Sequence, residues 1–159
     1  MSKRPKVRTC LWFDDDSEQA AELYVSLLPD SAIETVSRSE PGKPTLFVEL
    51  SLSGTPYMFF NGGPQYKLSP AASIAVRTAD QAETDRLWNA LLADGGVEKQ
   101  CGWLTDRFGV TWQVFPDALP RLLWGEDREA GGRAVQAMLQ MKKIDIAAIK
   151  AAFRGEENT

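Results

Sequence analysis

A chain of 159 residues with 43% hydrophobic and 25% charged side chains has ordinary globular composition, which excludes disordered and collagen-like classes. Its net charge of -4 and pI near 4.9 exclude the broad basic surface that phosphate backbones require, so nucleic acid is not expected as a partner. No apolar run approaches the ~20 residues needed to cross a bilayer and no apolar signal segment follows the charged start, so a cytoplasmic protein with no membrane partner is expected.

In chain order, the basic cluster Lys3, Arg4, Lys6 and Arg8 reads as a solvated start. An apolar strand follows at Thr9–Phe13. Asp14-Asp15-Asp16 then leads into DSEQAAELYVSLL, a helix over Asp16–Leu28 that Pro29 stops. The acid run is explained by helix capping, since it lacks the spaced loop of a calcium site. Strand patterns recur at Ala32–Arg38, Thr45–Leu52 and Pro56–Phe60, the last two joined by a tight turn at Ser53-Gly54. NGGPQYKLSPAA, Asn61 to Ala72, is rich in Gly and Pro and reads as a linker. Beyond it the order repeats: a strand at Ser73–Arg77, the helix DQAETDRLWNALL over Asp80–Leu92, and strands at Val97–Cys101, Trp103–Arg107 and Val110–Phe115 around a turn at Asp106–Gly109. Both helices open on Asp with Gln19 or Glu83 three residues on, the pattern of a capping box. They align without a gap at an offset of 64 (80 − 16), which carries Thr9–Phe13 onto Ser73–Arg77. The tail then turns helical over Leu119–Trp124, Glu126–Met141 and Ile144–Phe153, with Gly131-Gly132 weakening the middle helix.

These elements predict an α+β fold of tandem βαβββ modules whose sheets curl around a shared interior, with residues 5–61 as the first module, 62–72 as linker, 73–116 as the second and 117–159 as a helical extension of one compact domain. The tail is too apolar to stay free and must cover its own sheet or a second subunit. Two cysteines, Cys10 and Cys101, are too few for a disulfide scaffold, and both are expected reduced in strand-like settings. Chemistry in a chain without histidine falls to few groups. Cys101 needs a base or a positive field to become a nucleophile, and Lys99 shares its face if the strand is regular. Glu49 opposes the parity of Val48 and Leu50, so turned into a cavity it is a candidate general base. Trp12, Phe60, Trp103 and Trp112 are core or pocket lining, and Asn61 bonds a ligand or its own turn.

CGWLTDRFGVTWQVFP at 101–116, NGGP at 61–64, LWFDDDSEQAAELYVSLLPDS near the start and MLQMKKIDIAAIKAAF near the end resemble the PhnB-like branch of the vicinal oxygen chelate superfamily, which often carries the label 3-demethylubiquinone-9 3-methyltransferase. The resemblance implies tandem βαβββ modules forming a half-open barrel of the glyoxalase/bleomycin-resistance type, with a cavity inside it, and a homodimer. Metal-dependent relatives place ligands on the first and last strands of each module, which the repeat puts at Thr9, Ser73, Met58 and Gln113. Only Gln113 is a plausible ligand there, so no metal and no other cofactor is expected. The methyltransferase label fits the sequence poorly, because no Gly-rich turn leads from a strand into a helix to cradle a cofactor. The candidate ligand-binding set is Thr9, Trp12, Asn61, Ser73, Cys101, Trp103 and Gln113, with Glu49 and Cys101 as catalytic candidates. Three functions remain open: a metal-independent binder of a small organic molecule, an enzyme on a small organic substrate using Glu49, Cys101 or a metal, and a dimeric interaction protein with a vestigial cavity.

Overall fold

The computed structural model describes residues 4–156, which divide between Leu68 and Ser69 into two compact units. The first unit runs β1 (Thr9–Phe13), α1 (Ser17–Leu27), β2 (Ala32–Arg38), β3 (Thr45–Leu52) and β4 (Thr55–Asn61). The second begins β5 (Ser73–Thr78), α2 (Gln81–Leu92), β6 (Val97–Glu98), β7 (Trp103–Thr105) and β8 (Thr111–Pro116). Both are βαβββ, with open sheets ordered β1-β4-β3-β2 and β5-β8-β7-β6. In each, the first strand pairs in parallel with the last, and the other pairs are antiparallel.

Alternation along the strands gives each sheet one face covered by its helix. In the first unit Leu11, Phe13, Val48, Leu50 and Phe59 are buried beneath α1, whose Tyr24 ring meets Phe59 edge-on at 5.7 Å. The second unit buries Leu104, Trp112 and Val114 with Leu87, Trp88 and Leu91 of α2. Thr78 on β5 and Thr84 on α2 share a hydroxyl hydrogen bond of 2.7 Å across that interface. The opposite face of each sheet is free of its helix.

The two helices start differently. Asp80 caps α2 by accepting the Glu83 N–H at 2.9 Å, and the Glu83 carboxylate reaches back past the cap to accept the Ala79 N–H at 2.7 Å. At α1, Asp16 makes no side-chain cap bond, contrary to the capping expected of it. Asn61 serves instead: its Oδ1 accepts the Ser17 N–H at 3.0 Å, and its Nδ2 donates to the Asp15 and Thr45 carbonyls. Phe13 pairs with Asn61 as Thr78 pairs with Pro116, so the first strands correspond at an offset of 65 (78 − 13) while the helices keep 64. The acid run supplies the extra residue, and Thr9 therefore matches Ile74, not Ser73.

Cys101 is not in a strand. It adopts φ +58° in a turn, β6 ends at Glu98, and the Cys101 and Gly102 N–H groups donate at 2.8 and 2.7 Å to the carbonyls of Met141 and Lys142. The tail takes the hydrogen bonds that a neighbouring strand would have taken. It comprises α3 (Leu119–Trp124), α4 (Arg128–Leu139) and α5 (Ile146–Arg154), while residues 157–159 lie outside the described range. Leu119, Leu123, Ala134, Ile144 and Ile149 form its core, with Phe115 of β8 packed against it. Gln81 of α2 clasps the tail, donating to the Ile144 carbonyl and accepting the Ile146 N–H at 2.9 Å each. Gly131-Gly132 does not break α4. A side chain at 131 would meet the Leu123 carbonyl at 2.7 Å, so the glycine permits close approach of α3.

The turn at 106–109 carries a buried carboxylate. Asp106 Oδ1 accepts the Phe108 and Val110 N–H groups at 2.9 and 3.0 Å, and Oδ2 accepts the Trp112 indole N–H at 2.9 Å. Replacing Asp106 with Ala leaves these donors buried and unsatisfied, and chemical denaturation is expected to show a loss of about 2–4 kcal/mol. A second prediction concerns pH. On α1, Glu18 accepts the Thr45 hydroxyl and pairs with Arg38 at 2.7 Å, and these contacts hold its carboxyl below the ordinary 4.5. A lowered folded value means the stabilisation is complete above the ordinary value and lost as pH falls through the folded one. Glu18→Gln should lower stability near neutral pH and flatten its acid limb. Identical pH dependence in the two proteins would contradict this.

Candidate functional site

The face of the first sheet turned away from α1 is read from its register. Cys10, Met58, Glu49 and Thr35 lie in one row across β1, β4, β3 and β2, and Trp12, Phe60, Phe47 and Ser37 lie in the next. Glu49 is 8% exposed, buried although it belongs to the open face. Two guanidinium groups explain that. Arg4 Nη2 donates to Glu49 Oε2 at 2.6 Å, and Arg8 Nε lies 3.6 Å from Oε1. Arg8 is itself almost enclosed: Nη1 donates to the Leu50 and Tyr57 carbonyls at 3.1 and 3.2 Å, and Nη2 pairs with Glu34. The basic start is thus not simply solvated, since Arg4 and Arg8 dock onto the sheet; Lys3 of that cluster lies outside the described residues. The segment walls a cleft of about 700 Å³ whose lining includes Arg4, Glu34, Thr35, Glu49, Ser51 and Pro56.

Beside it stands an aromatic cluster. Trp12 packs edge-on against Phe60 at 5.2 Å and Tyr66 at 4.9 Å, and its indole donates to the Gly63 carbonyl at 2.9 Å. A side chain at Gly62 would fall within 2.5 Å of that ring, so the glycine lets the 61–66 loop close over Trp12. The loop's Gly62 and Gly63 N–H groups donate to the Phe13 and Asp14 carbonyls, and the next element is β5. It extends a sheet ladder and opens no helix, unlike a phosphate-cradling loop.

On the second sheet's open face, Ala75, Gln113 and Trp103 form one row, and Ser73, Thr111 and Thr105 form the next. Gln113 Nε2 donates to Ser73 Oγ at 2.9 Å, and the two threonine hydroxyls meet at 3.3 Å. Ser73, Trp103 and Gln113 therefore lie on one face of the second sheet. Three other candidates are elsewhere. Thr9 has the parity of the α1-covered face, opposite Tyr57. Asn61 has its amide committed to α1 and β3. Cys101 turns to the tail, its Sγ 3.6 Å from the Met138 carbonyl, so the face shared with Lys99 does not exist. Sequence reasoning missed Arg4, Arg8 and Glu34, whose role depends on contacts 26 to 45 residues apart.

Among the described residues, no three or more His, Cys, Asp or Glu side chains are grouped so as to hold a metal. On the first sheet the Glu49 carboxylate is engaged by two arginines, and on the second Gln113 donates to Ser73, so neither side chain stands free as a ligand on its own sheet. Cys10 is a free thiol whose pKa is raised by partial burial, which disfavours thiolate.

The paired βαβββ units, each with one helix-covered and one open sheet face, define a vicinal oxygen chelate fold of the glyoxalase/bleomycin-resistance type. Residues 5–115 match the family described as 3-demethylubiquinone-9 3-methyltransferase, and the chain belongs to that family, in its PhnB-like branch. The PhnB protein of Bacillus cereus is similar at 28% identity and a TM-score of 0.63, covering 70% of this chain and 99% of its own. Protein PA1353 of Pseudomonas aeruginosa is similar at 25% identity and a TM-score of 0.57, covering 71% of this chain and 98% of its own. No curated protein matches the chain. The family match ends before α3, so the helical tail lies beyond it. Among the described residues no helix is long and apolar enough to cross a membrane.

Proposed function

We propose that this chain is a cytoplasmic binder of a small organic molecule, held without a metal on the open face of its first sheet. The observation that carries the reading is the cleft of about 700 Å³ containing the buried Glu49 carboxylate, with the Thr35 and Ser51 side chains on its lining. Small-molecule sites have this scale, and they combine an apolar wall with a few fixed polar groups. Here Pro5 and Pro56 supply apolar wall, and the arginine-held carboxylate is the fixed polar group. The Gln113–Ser73 pair and Trp103 give the second sheet a further set of ligand contacts on its own open face. Two free cysteines are consistent with the cytoplasm.

Nothing in the arrangement favours acid-base or thiol catalysis over binding. Glu49 is an ion-paired anion with its oxygens engaged, and Cys101 has neither base nor cation beside its sulfur among its hydrogen-bond contacts. The literal methyltransferase activity has no support in the 61–66 loop. The tail's apolar core packs within its own unit, while Trp124 and Leu139 remain exposed on its surface.

Thermal-shift screening of EDTA-treated protein against metabolites of all charges should find a compound that raises the melting temperature, since ligand at 100 times its Kd adds about 2.7 kcal/mol of stability. Ser51→Trp, which fills the cleft, should abolish that shift. Binding that requires an added divalent ion, or that survives Ser51→Trp undiminished, would contradict the proposal.

A further inference from the structure

The two arginines of the cleft are not equivalent. Arg8 leaves only 9% of its side chain exposed and is engaged on all sides: Leu50 and Tyr57 carbonyls on Nη1, Glu34 on Nη2, Glu49 beside Nε. Arg4 is 75% exposed and enters the cleft through one contact, Nη2 to Glu49 Oε2 at 2.6 Å. With Arg4 withdrawn, Glu34 and Glu49 oppose the single guanidinium of Arg8, and these three groups carry a net charge of -1. Burying that charge uncompensated is unfavourable, so whatever replaces Arg4 must bring a positive charge and an N–H donor to Oε2.

We infer that the cleft takes an organic monocation of the amidinium, guanidinium or ammonium class, and that Arg4 holds its place when it is absent. The inference rests on the cleft being the binding site proposed above. Arg4 is suited to the role because it is the exposed partner of a buried acid. A guanidinium that is mostly in water and held by one contact leaves its partner more readily than an enclosed one, so it is the one open to exchange for an outside cation. Arg8 is suited to the opposite role, keeping Glu34 and Glu49 in place during the exchange. An anionic ligand would face both carboxylates, and a neutral one would leave Glu49 short of a charge. The Thr35 and Ser51 side chains and the rings of Pro5 and Pro56 then contact the body of the ligand.

Benzamidine, benzamide and benzoate share one ring and differ in charge, so they separate the charge requirement from general apolar binding. Calorimetric titration of the full chain should show benzamidine binding Arg4→Ala about two- to fivefold more tightly than the unsubstituted protein, the advantage expected on removing an exposed competing pair. Benzamide and benzoate should bind both proteins more weakly than benzamidine. Adding Glu49→Gln to Arg4→Ala should remove the preference for benzamidine, and if that protein does not fold, adding Glu34→Gln instead should reduce it. Benzamidine affinity unchanged or weakened by Arg4→Ala, or matched by benzoate, overturns the inference. If neutral compounds from the metabolite screen still bind in a Ser51-dependent manner, the cleft stands as a binding site and only the cation assignment falls. If nothing binds at any charge, both fall.

Discussion

A guanidinium enclosed by two carboxylates and two backbone carbonyls organises the open face of the first sheet. Charges out of water are costly unless their partners are close and their hydrogen bonds satisfied, and Arg8 meets both conditions. Its consequences spread through the unit. The pairing holds the N-terminal segment against β3 and β4, which walls the cleft, and it ties Glu34 on β2 to Glu49 on β3. It also decides the chemistry available to Glu49, which becomes a fixed anion suited to recognition. A carboxylate so committed is a poor general base and a poor metal ligand, and the same contacts that bury it remove it from both roles.

The second unit solves a related problem with neutral donors. Asp106 is buried in the β7–β8 turn, and three N–H groups from the turn backbone and Trp112 surround its carboxylate. Here the charge stabilises a local turn. The tail adds a further layer, since α3 to α5 lie beyond the family match yet are fastened to the module through Gln81 and the Cys101-Gly102 turn. A conserved-fold module and an added helical cap thus share one core at Phe115 and Ile144.

Much of this was readable in the sequence because it is local. Alternating strands, the Asp80 cap, the Gly54 and Gly109 turns and the 3.6-residue apolar spacing of the helices act over a few residues and formed, although β6 and β7 stop at Glu98 and Thr105, short of the expected Cys101 and Arg107. The register of Trp103 against Gln113 follows from the tight turn between β7 and β8, whereas the side of the sheet they face depends on where α2 packs. What failed was non-local. The first strands slipped by one residue against the repeat because the acid run lengthens one connection. Cys101 left its expected strand because carbonyls 40 residues away claim its turn. Asn61 became the tie for α1 that Asp16 was expected to be. Arg8 looked like a solvated cation because nothing near it in sequence announces Glu34 or Glu49.

The central claim is that Arg8 and Glu49 form one coupled, buried unit. A double-mutant cycle measures it directly, using Arg8→Met, Glu49→Leu and the pair together in chemical denaturation. Each single change should destabilise by about 1–3 kcal/mol because it removes one charged partner from a buried network, and the double change should recover more than about 0.5 kcal/mol of the summed loss. Losses that add, with no coupling between the two positions, would contradict the account.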